Sequence, residues 1–371
     1  MKKSTKFFFA KLSMSLLLPL GAVHATDSEQ AVCSVENFQN CLNGVSSSVT
    51  NGAGLRMASA EYGDVARERS GKKGPDSHAS AWRPGTGLAA GDDLGGSVFG
   101  LWSSYSYSDF DSDFVFQGSS LAYEADSHNV LTGFDRLLGN RVLLGLAMGY
   151  QWVDAETDFN GGGQESDGHT IAPYAALILS DIFSLDVSAG MSWVDYQQDR
   201  VSPADGTSID ADFDGDRWFF ASNLNALVTS DAWVFGARVG YLHTDEKQDG
   251  YLETGSATSA AQGRLRTVTR RTIDLSQVVF GADVAYNMGA WEPYVMASYH
   301  NDLSRNDGTR AGGLPGSFSS VQPDDDDEIQ INVGVRYYTS WGVSTTVEYQ
   351  RVEDRAHFDS DTFMLTVRAA L

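Results

Sequence analysis

Arg141–Trp152 reads RVLLGLAMGYQW. From Val142 onward every second residue is large and apolar: Val142, Leu144, Leu146, Met148, Tyr150 and Trp152. After Leu143 the residues between them are small or polar: Gly145, Ala147, Gly149 and Gln151. A period of two is the signature of a β-strand, whose successive side chains point to opposite faces. One face here suits hydrocarbon. The other tolerates a glutamine, as the wall of a polar interior would.

The same pattern recurs downstream. Leu185, Val187, Ala189, Met191 and Trp193 alternate with Asp186, Ser188, Gly190 and Ser192. Ile329, Ile331, Val333, Val335 and Tyr337 alternate with Gln330, Asn332, Gly334 and Arg336. Val343, Thr345, Val347 and Tyr349 oppose Ser344, Thr346, Glu348 and Gln350, and Phe363, Leu365, Val367, Ala369 and Leu371 close the chain. With weaker segments included, the pattern predicts twelve strands, near 97–109, 122–137, 141–155, 167–180, 183–197, 216–229, 233–244, 270–286, 291–301, 327–340, 342–353 and 361–371.

Connections between them alternate between long and short. The long ones are expected near 110–121, 156–166, 198–215, 245–269, 302–326 and 354–360, and the tight turns near 138–140, 181–182, 230–232, 287–290 and 339–341. An even number of strands with both barrel ends on the tight-turn side is the outer-membrane layout, and roughly ten residues per strand suit a tilted crossing. A soluble sandwich or lipocalin would turn its apolar face inward. The expected fold is therefore an all-β, 12-stranded antiparallel transmembrane barrel. Tyr150, Trp152, Trp193, Trp218, Tyr241, Tyr286, Tyr299, Tyr337 and Tyr349 fall towards strand ends, where interfacial girdles belong.

Composition bounds the function. The 371 residues carry a formal charge of −23. Such acidity argues against nucleic-acid binding, which needs a basic face. The opening MKKSTKFFFAKLSMSLLLPLGAVHA has a basic start, an apolar run and a small-residue ending, so residues 1–25 are expected to be a signal peptide cleaved after Ala25. In an exported chain Cys33 and Cys41 are expected to form one local disulfide within the short segment 26–53.

Over Asn129–Arg200, NVLTGFDRLLGNRVLLGLAMGYQWVDAETDF followed by SDGHTIAPYAALILSDIFSLDVSAGMSWVDYQQDR, the chain resembles the β-domain of autotransporters, the type V secretion translocators of Gram-negative bacteria. The similarity covers roughly 95–371. It implies an outer-membrane barrel threaded by a helix that leads to an N-terminal passenger, handled by periplasmic chaperones and the barrel assembly machinery. The closing FMLTVRAAL resembles the terminal strand read by that machinery, with Phe363, Leu365, Val367, Ala369 and Leu371 as the signal. Leu371 stands where an aromatic is usual. Only about 70 residues separate Ala25 from the barrel, so the passenger is very short.

Gly54–Arg69 carries a helical stripe of Leu55, Ala58, Tyr62 and Val65 among charged faces, and sixteen helical residues span ~24 Å, about the height of a barrel's apolar band. Residues 54–70 are the candidate luminal helix and 71–96 a linker. Asp135, Asp186, Arg238, Asp283, Arg336, Glu348 and Arg368 are expected to face the lumen, where mixed charge suits either a plug of mixed charge or a water-filled pore.

Chemistry-bearing motifs are sparse. His128, His169, His243, His300 and His357 fall at or beyond the external strand ends, and Asp126, Asp167, Asp245 and Asp302 lie two positions from the first four. Such groups invite a hydrolase or metal reading, but His128 and His243 share parity with lipid-facing residues. The chain is not expected to be an enzyme, and no cofactor or metal is expected. The run Pro323–Glu328 lacks the spaced ligands of a calcium loop. GRLRTVTRR places Arg264, Arg266, Arg270 and Arg271 where they could meet lipopolysaccharide phosphates or neighbouring acidic loops. Outer-membrane lipid and lipopolysaccharide are thus the expected surroundings, and an open or structural pore is the alternative to self-export.

Overall fold

The computed structural model describes residues 99–370, apart from 114, 117–118, 121, 139–140, 158–160, 181, 203, 311–325 and 340–342. Its barrel strands are β1 (Phe99–Ser112), β2 (Tyr123–Leu138), β3 (Val142–Thr157), β4 (Gly162–Ile178), β5 (Phe183–Val201), β6 (Ser208–Ser230), β7 (Trp233–Gln248), β8 (Arg271–Tyr286), β9 (Trp291–Arg310), β10 (Asp327–Tyr338), β11 (Val343–Arg355) and β12 (Phe358–Ala370). Each is antiparallel to its sequence neighbours, and β1 pairs with β12 from Gly100↔Ala370 to Asp111↔Asp359, which closes the sheet. Closure is what lipid demands, since hydrocarbon offers no partner to an unpaired strand edge.

The expected segments each became a strand. Several run further than expected, because the strands continue past the membrane into an external collar. β6 begins at Ser208 rather than 216, β4 at Gly162 rather than 167, and β5 reaches Val201. Three of the connections expected to be long are therefore short ones on top of tall strands: 158–161 between β3 and β4, 202–207 between β5 and β6, and Ala356–His357 between β11 and β12.

Side-chain direction follows the alternation. On β3, Leu144 and Met148 are 47% and 56% exposed on the outer face, while Leu143, Ala147 and Gln151 are buried on the inner one. Aromatics flank the apolar band. Phe183, Trp233, Tyr286, Trp291 and Tyr337 sit outward at the tight-turn end, and Tyr105, Tyr150, Trp193, Trp218, Tyr241 and Tyr299 sit outward towards the other. The rows are ~26–33 Å of extended chain apart, counted from Trp233 to Tyr241 and from Phe183 to Trp193. Strands tilted at ~40° need about that length to cross a ~25 Å apolar band.

Inside, one stretch of wall is apolar. Trp102, Leu131, Leu137, Leu143, Ala147, Ala172, Tyr174, Ala176, Phe219, Ala221 and Leu242 cluster on the inner face of β1–β4, β6 and β7. Rings there lie across glycines of the next strand. A Cβ on Gly133 would overlap the Trp102 ring, and one on Gly145 the Tyr174 ring. Glycine is needed at both for this close approach.

Candidate functional site

The luminal wall is the feature of interest, and several of its charges are held by charged or polar partners. Asp135 accepts both its contacts from Arg368 Nη2, at 2.7 and 2.8 Å, and a third from Tyr174 at 2.9 Å; Trp102 Nε1 donates to Tyr174 at 2.7 Å. Asp135 lies on β2 and Arg368 on β12, so the pair reaches across β1 and staples the seam where the barrel closes. Asp186 accepts from Asn223 and Asn225 at 2.7 and 2.5 Å. Glu348 accepts from Tyr294 and, at 2.7 Å, from Asn332. Arg336 donates to Glu292 at 2.8 Å and stands 4.0 Å above the Tyr294 ring, a cation–π contact.

Arg238 and Asp283 also face inward, from β7 and β8. All seven residues expected in the lumen are therefore on the inner wall. Sequence reasoning did not pair Asp135 with Arg368, nor single out the other partners or the largest network. Glu246 on β7 accepts from Arg217 at 2.6 Å, Tyr196 at 2.5 Å and Gln248 at 2.6 Å. Arg217 reaches on to Gln151 at 3.2 Å, and Arg271 to Gln248 at 2.5 Å. Strand parity puts these residues inside, but partners up to 66 positions apart are matched only by barrel register.

The basic run divides. Arg271 is buried in the network just described, and Arg270 is exposed and paired with Asp249 at 2.6 Å. Arg264 and Arg266 are half-buried; the carbonyl of Arg264 accepts from Arg200, and the backbone N–H of Arg266 donates to Glu253. Arg200 and Glu253 form a buried bidentate pair at 2.9 and 2.7 Å. This folds the 249–270 excursion against the inner side of the collar, where Tyr251 stacks on Phe213 and Phe213 on Tyr196. Burial and nearby Arg200 hold the Arg266 guanidinium below its usual pKa. The four arginines do not share one face.

The rim histidines do not converge either. His128 stacks outward on Trp152, with ring centroids 4.8 Å apart, and shares a hydrogen bond with Tyr105. His169 lies beside Tyr150, His243 beside Trp218, and His357 contacts Asp113 at 2.7 Å. Only His300, of these five, faces the lumen. Among the described residues, no group of three or more His, Cys, Asp or Glu side chains is placed to share a metal ion.

On the outer face, at the loop-end girdle and just beyond it, tyrosines donate to carboxylates of adjacent strands: Tyr107 to Asp126, Tyr150 to Asp167, Tyr299 to Asp327 and Tyr349 to Asp361. Of the terminal strand, Phe363, Leu365 and Val367 are exposed outward and Ala369 pairs with Leu101 and Val343. Leu371, the Cys33–Cys41 pair and the helical stripe of Leu55, Ala58, Tyr62 and Val65 lie outside the described residues.

A closed twelve-stranded barrel with an apolar outer band and a polar lumen defines an outer-membrane type of β-barrel. A family model described as the autotransporter β-domain matches residues 101–350. The chain belongs to that family and is an outer-membrane autotransporter barrel. Among solved structures it is similar to the translocator domain of autotransporter NalP from Neisseria meningitidis, at 12% identity and a TM-score of 0.61, over 73% of this chain and 88% of that one. It is also similar to the β-domain of the Bordetella autotransporter BrkA, at 16% identity and a TM-score of 0.55, over 74% and 100%. A search of curated protein sequences gave no match.

Proposed function

We propose that the barrel carries its own short N-terminal segment, residues 26–96, into or through its lumen. In this reading residues 1–25 direct export and are removed, residues 54–70 form a helix in the lumen, and the Cys33–Cys41 loop leads. The observation that carries it is the paired, partly apolar inner wall. The candidate helix has an apolar stripe of Leu55, Ala58, Tyr62 and Val65 to set against the Trp102–Leu143 patch. Its remaining faces carry both charge signs, matching a wall of both signs. The role needs no cofactor and no catalytic step.

Assembly would use periplasmic chaperones and the barrel assembly machinery, which would meet the outward row Phe363, Leu365 and Val367. Outer-membrane lipid and lipopolysaccharide would surround the band, with Arg270 the most exposed of the four arginines to reach a phosphate.

An epitope tag inserted after Ala25 tests the proposal. Self-export predicts that antibody labels intact cells, and labelling only after permeabilisation would contradict it. Deleting residues 26–94 should raise single-channel conductance if the segment occupies the lumen. An unchanged, already open conductance would favour a diffusion pore.

A further inference from the structure

One group of inward side chains on β7–β11 has an arrangement that the charge pairs above lack. Ser298 and His300 are two residues apart on β9 and both face the lumen, with Ser298 Oγ 3.0 Å from His300 Nε2. The other ring nitrogen, Nδ1, faces two oxygens: Gln277 Oε1 at 3.5 Å and Glu328 Oε1 at 3.8 Å. The Gln277 amide has a fixed direction, because its Nε2 donates to Asp302 at 2.7 Å. Asp302 is held in turn by Arg355 at 2.8 Å and Arg305 at 3.5 Å. A β-bulge interrupts the β8–β9 register at Ser276/Gln277, a device that re-aims side chains.

Directionality follows from this chain. The amide nitrogen of Gln277 is committed to Asp302, so its oxygen turns to His300. Gln277 Oε1 as acceptor at Nδ1, with the Glu328 carboxylate 3.8 Å away, places the ring proton there and leaves Nε2 to accept from the Ser298 hydroxyl. A nucleophile, a base and a group orienting the base are thereby in hydrogen-bonding sequence.

Arg238 adds an independent observation. Among the described residues its Nε has no hydrogen-bond partner. It stands on β7 directly opposite Gly281 of β8. The point where a Cβ on Gly281 would sit is 3.4 Å from Arg238 Nε and 3.5 Å from Ser298 Cβ. A bare glycine surface is thus bordered by a guanidinium and by the Cβ of Ser298, the residue whose hydroxyl is hydrogen-bonded to His300. A carbonyl lying over Gly281 would meet a nucleophile at carbon and a cation at oxygen.

We propose that Ser298, His300 and Arg238 form a luminal acyl-transfer site for an ester or amide carbonyl presented from inside the barrel, with Gln277 and Glu328 as positioning residues. Ser298 Oγ bonds to the carbonyl carbon as its proton passes to His300 Nε2. Gln277 and Glu328 stabilise the imidazolium at Nδ1, and the oxyanion faces Arg238. Collapse of the adduct breaks the C–O or C–N bond, and the departing alcohol or amine takes the proton from His300. Water, losing its proton to His300, then cleaves the acyl-Ser298 bond, releases a carboxylic acid and returns the hydroxyl. The site is independent of the self-export reading.

The test is reaction of the folded full chain, in detergent or outer-membrane vesicles, with a fluorophosphonate probe. The expected result is one label, placed on Ser298 by peptide mass and absent in Ser298→Ala. His300→Ala should slow labelling ~100-fold or more, and Arg238→Gln roughly 100-fold. Gln277→Ala should shift the pH profile of labelling, which loss of a merely structural contact would not do. Turnover of p-nitrophenyl acetate by an uncut chain would assign a free ester as substrate. Truncation near the N-terminus that disappears in Ser298→Ala would assign the chain's own segment. Absence of label on the wild-type barrel, shown folded by heat-modifiable migration, overturns the proposal. So does a labelling rate indifferent to His300→Ala in a variant that passes the same folding check.

Discussion

The same strands obey opposite rules on the two sides of the loop-end girdle. Within the membrane band β3 turns Leu144 and Met148 outward and keeps Gln151 inside; in the collar it turns Asp154 and Glu156 outward and buries Val153 and Ala155. β6 does likewise, with Ile209, Ala211 and Phe213 inside and Asp210, Asp212 and Asp214 outside. In the band the outer solvent is hydrocarbon; in the collar it is water, and the small apolar core moves indoors. Carboxylates are also treated differently. Those of the inner wall meet arginines, amides or tyrosines. Those of the outer collar also stand opposite one another, in the row Asp361–Asp109–Asp126–Asp154–Glu165 and the row Asp359–Asp111–Glu124–Glu156, with Tyr107 donating to Asp126 and Arg351 pairing with Asp359 and Asp361 at one end. Like charges directly opposite across strands are destabilising.

Removing one member of an inner pair should have the largest effect. Arg368→Met leaves the Asp135 carboxylate buried without its cation and should cost ~3–5 kcal/mol, read as a lower denaturant midpoint of the folded barrel. Asp135→Asn with Arg368→Met should recover much of that loss, because no uncompensated charge remains. A charge on the outer band comes next. Met148→Arg should cost ~2–4 kcal/mol, whereas the same change at Asp154, in the collar, should be close to neutral. Gly145→Val forces the Tyr174 ring off its seat and strains the Trp102–Tyr174–Asp135 chain, for ~1–3 kcal/mol of overpacking.

Acidity separates the regions further. Burial, then the neighbouring carboxylates Asp359, Asp109 and Glu124, hold Asp111 above the usual carboxylate pKa; burial outweighs a backbone hydrogen bond to do the same at Asp199, with Asp210 and Asp154 adding to it. A carboxyl raised on folding binds its proton more tightly in the folded state. Its cost is therefore full at neutral pH and is relieved as pH falls through the raised pKa towards the unfolded value near 3.8. The denaturant midpoint should rise modestly as pH drops from 7 towards 4, and Asp111→Asn with Asp199→Asn should flatten that rise. Asp205 behaves oppositely. Hydrogen bonds from Ser256 and Thr207 lower its pKa to about 2, so its contribution is present above pH 3.8 and lost as pH falls through about 2. The smallest expected change is Asp154→Asn, neutral or stabilising by up to ~1 kcal/mol through relief of one cross-strand repulsion.

This inversion also explains what was legible in the sequence. Where apolar residues point at lipid, as in Leu185–Trp193 or Ile329–Tyr337, alternation locates the strand and its inner face, and the seven luminal residues follow by parity. Where the phase inverts, as in Ser208–Asp216, the outward row of aspartates reads like a solvated loop, and β6 was expected eight residues late. Parity predicts which wall a residue faces but carries no register. Arg368 opposite Asp135, or Gln277 between His300 and Asp302, therefore emerges only when the barrel closes. The arginine run divides for a related reason: Arg270 and Arg271 are sequence neighbours at the start of a strand, so they face opposite ways.

The central claim is the sidedness of the band, and β3 tests it within a single strand. Cysteines placed singly at Met148, Gln151 and Asp154 would be challenged in membranes with a water-soluble maleimide, and, once labelled with a fluorophore, with brominated lipid. The Met148→Cys site should resist the maleimide until the membrane is dissolved and then give a probe quenched by brominated acyl chains. The Asp154→Cys site should react freely and escape quenching, and the Gln151→Cys site should escape quenching as well. Equal aqueous reactivity at 148 and 154, or lipid quenching at 151, would contradict the account.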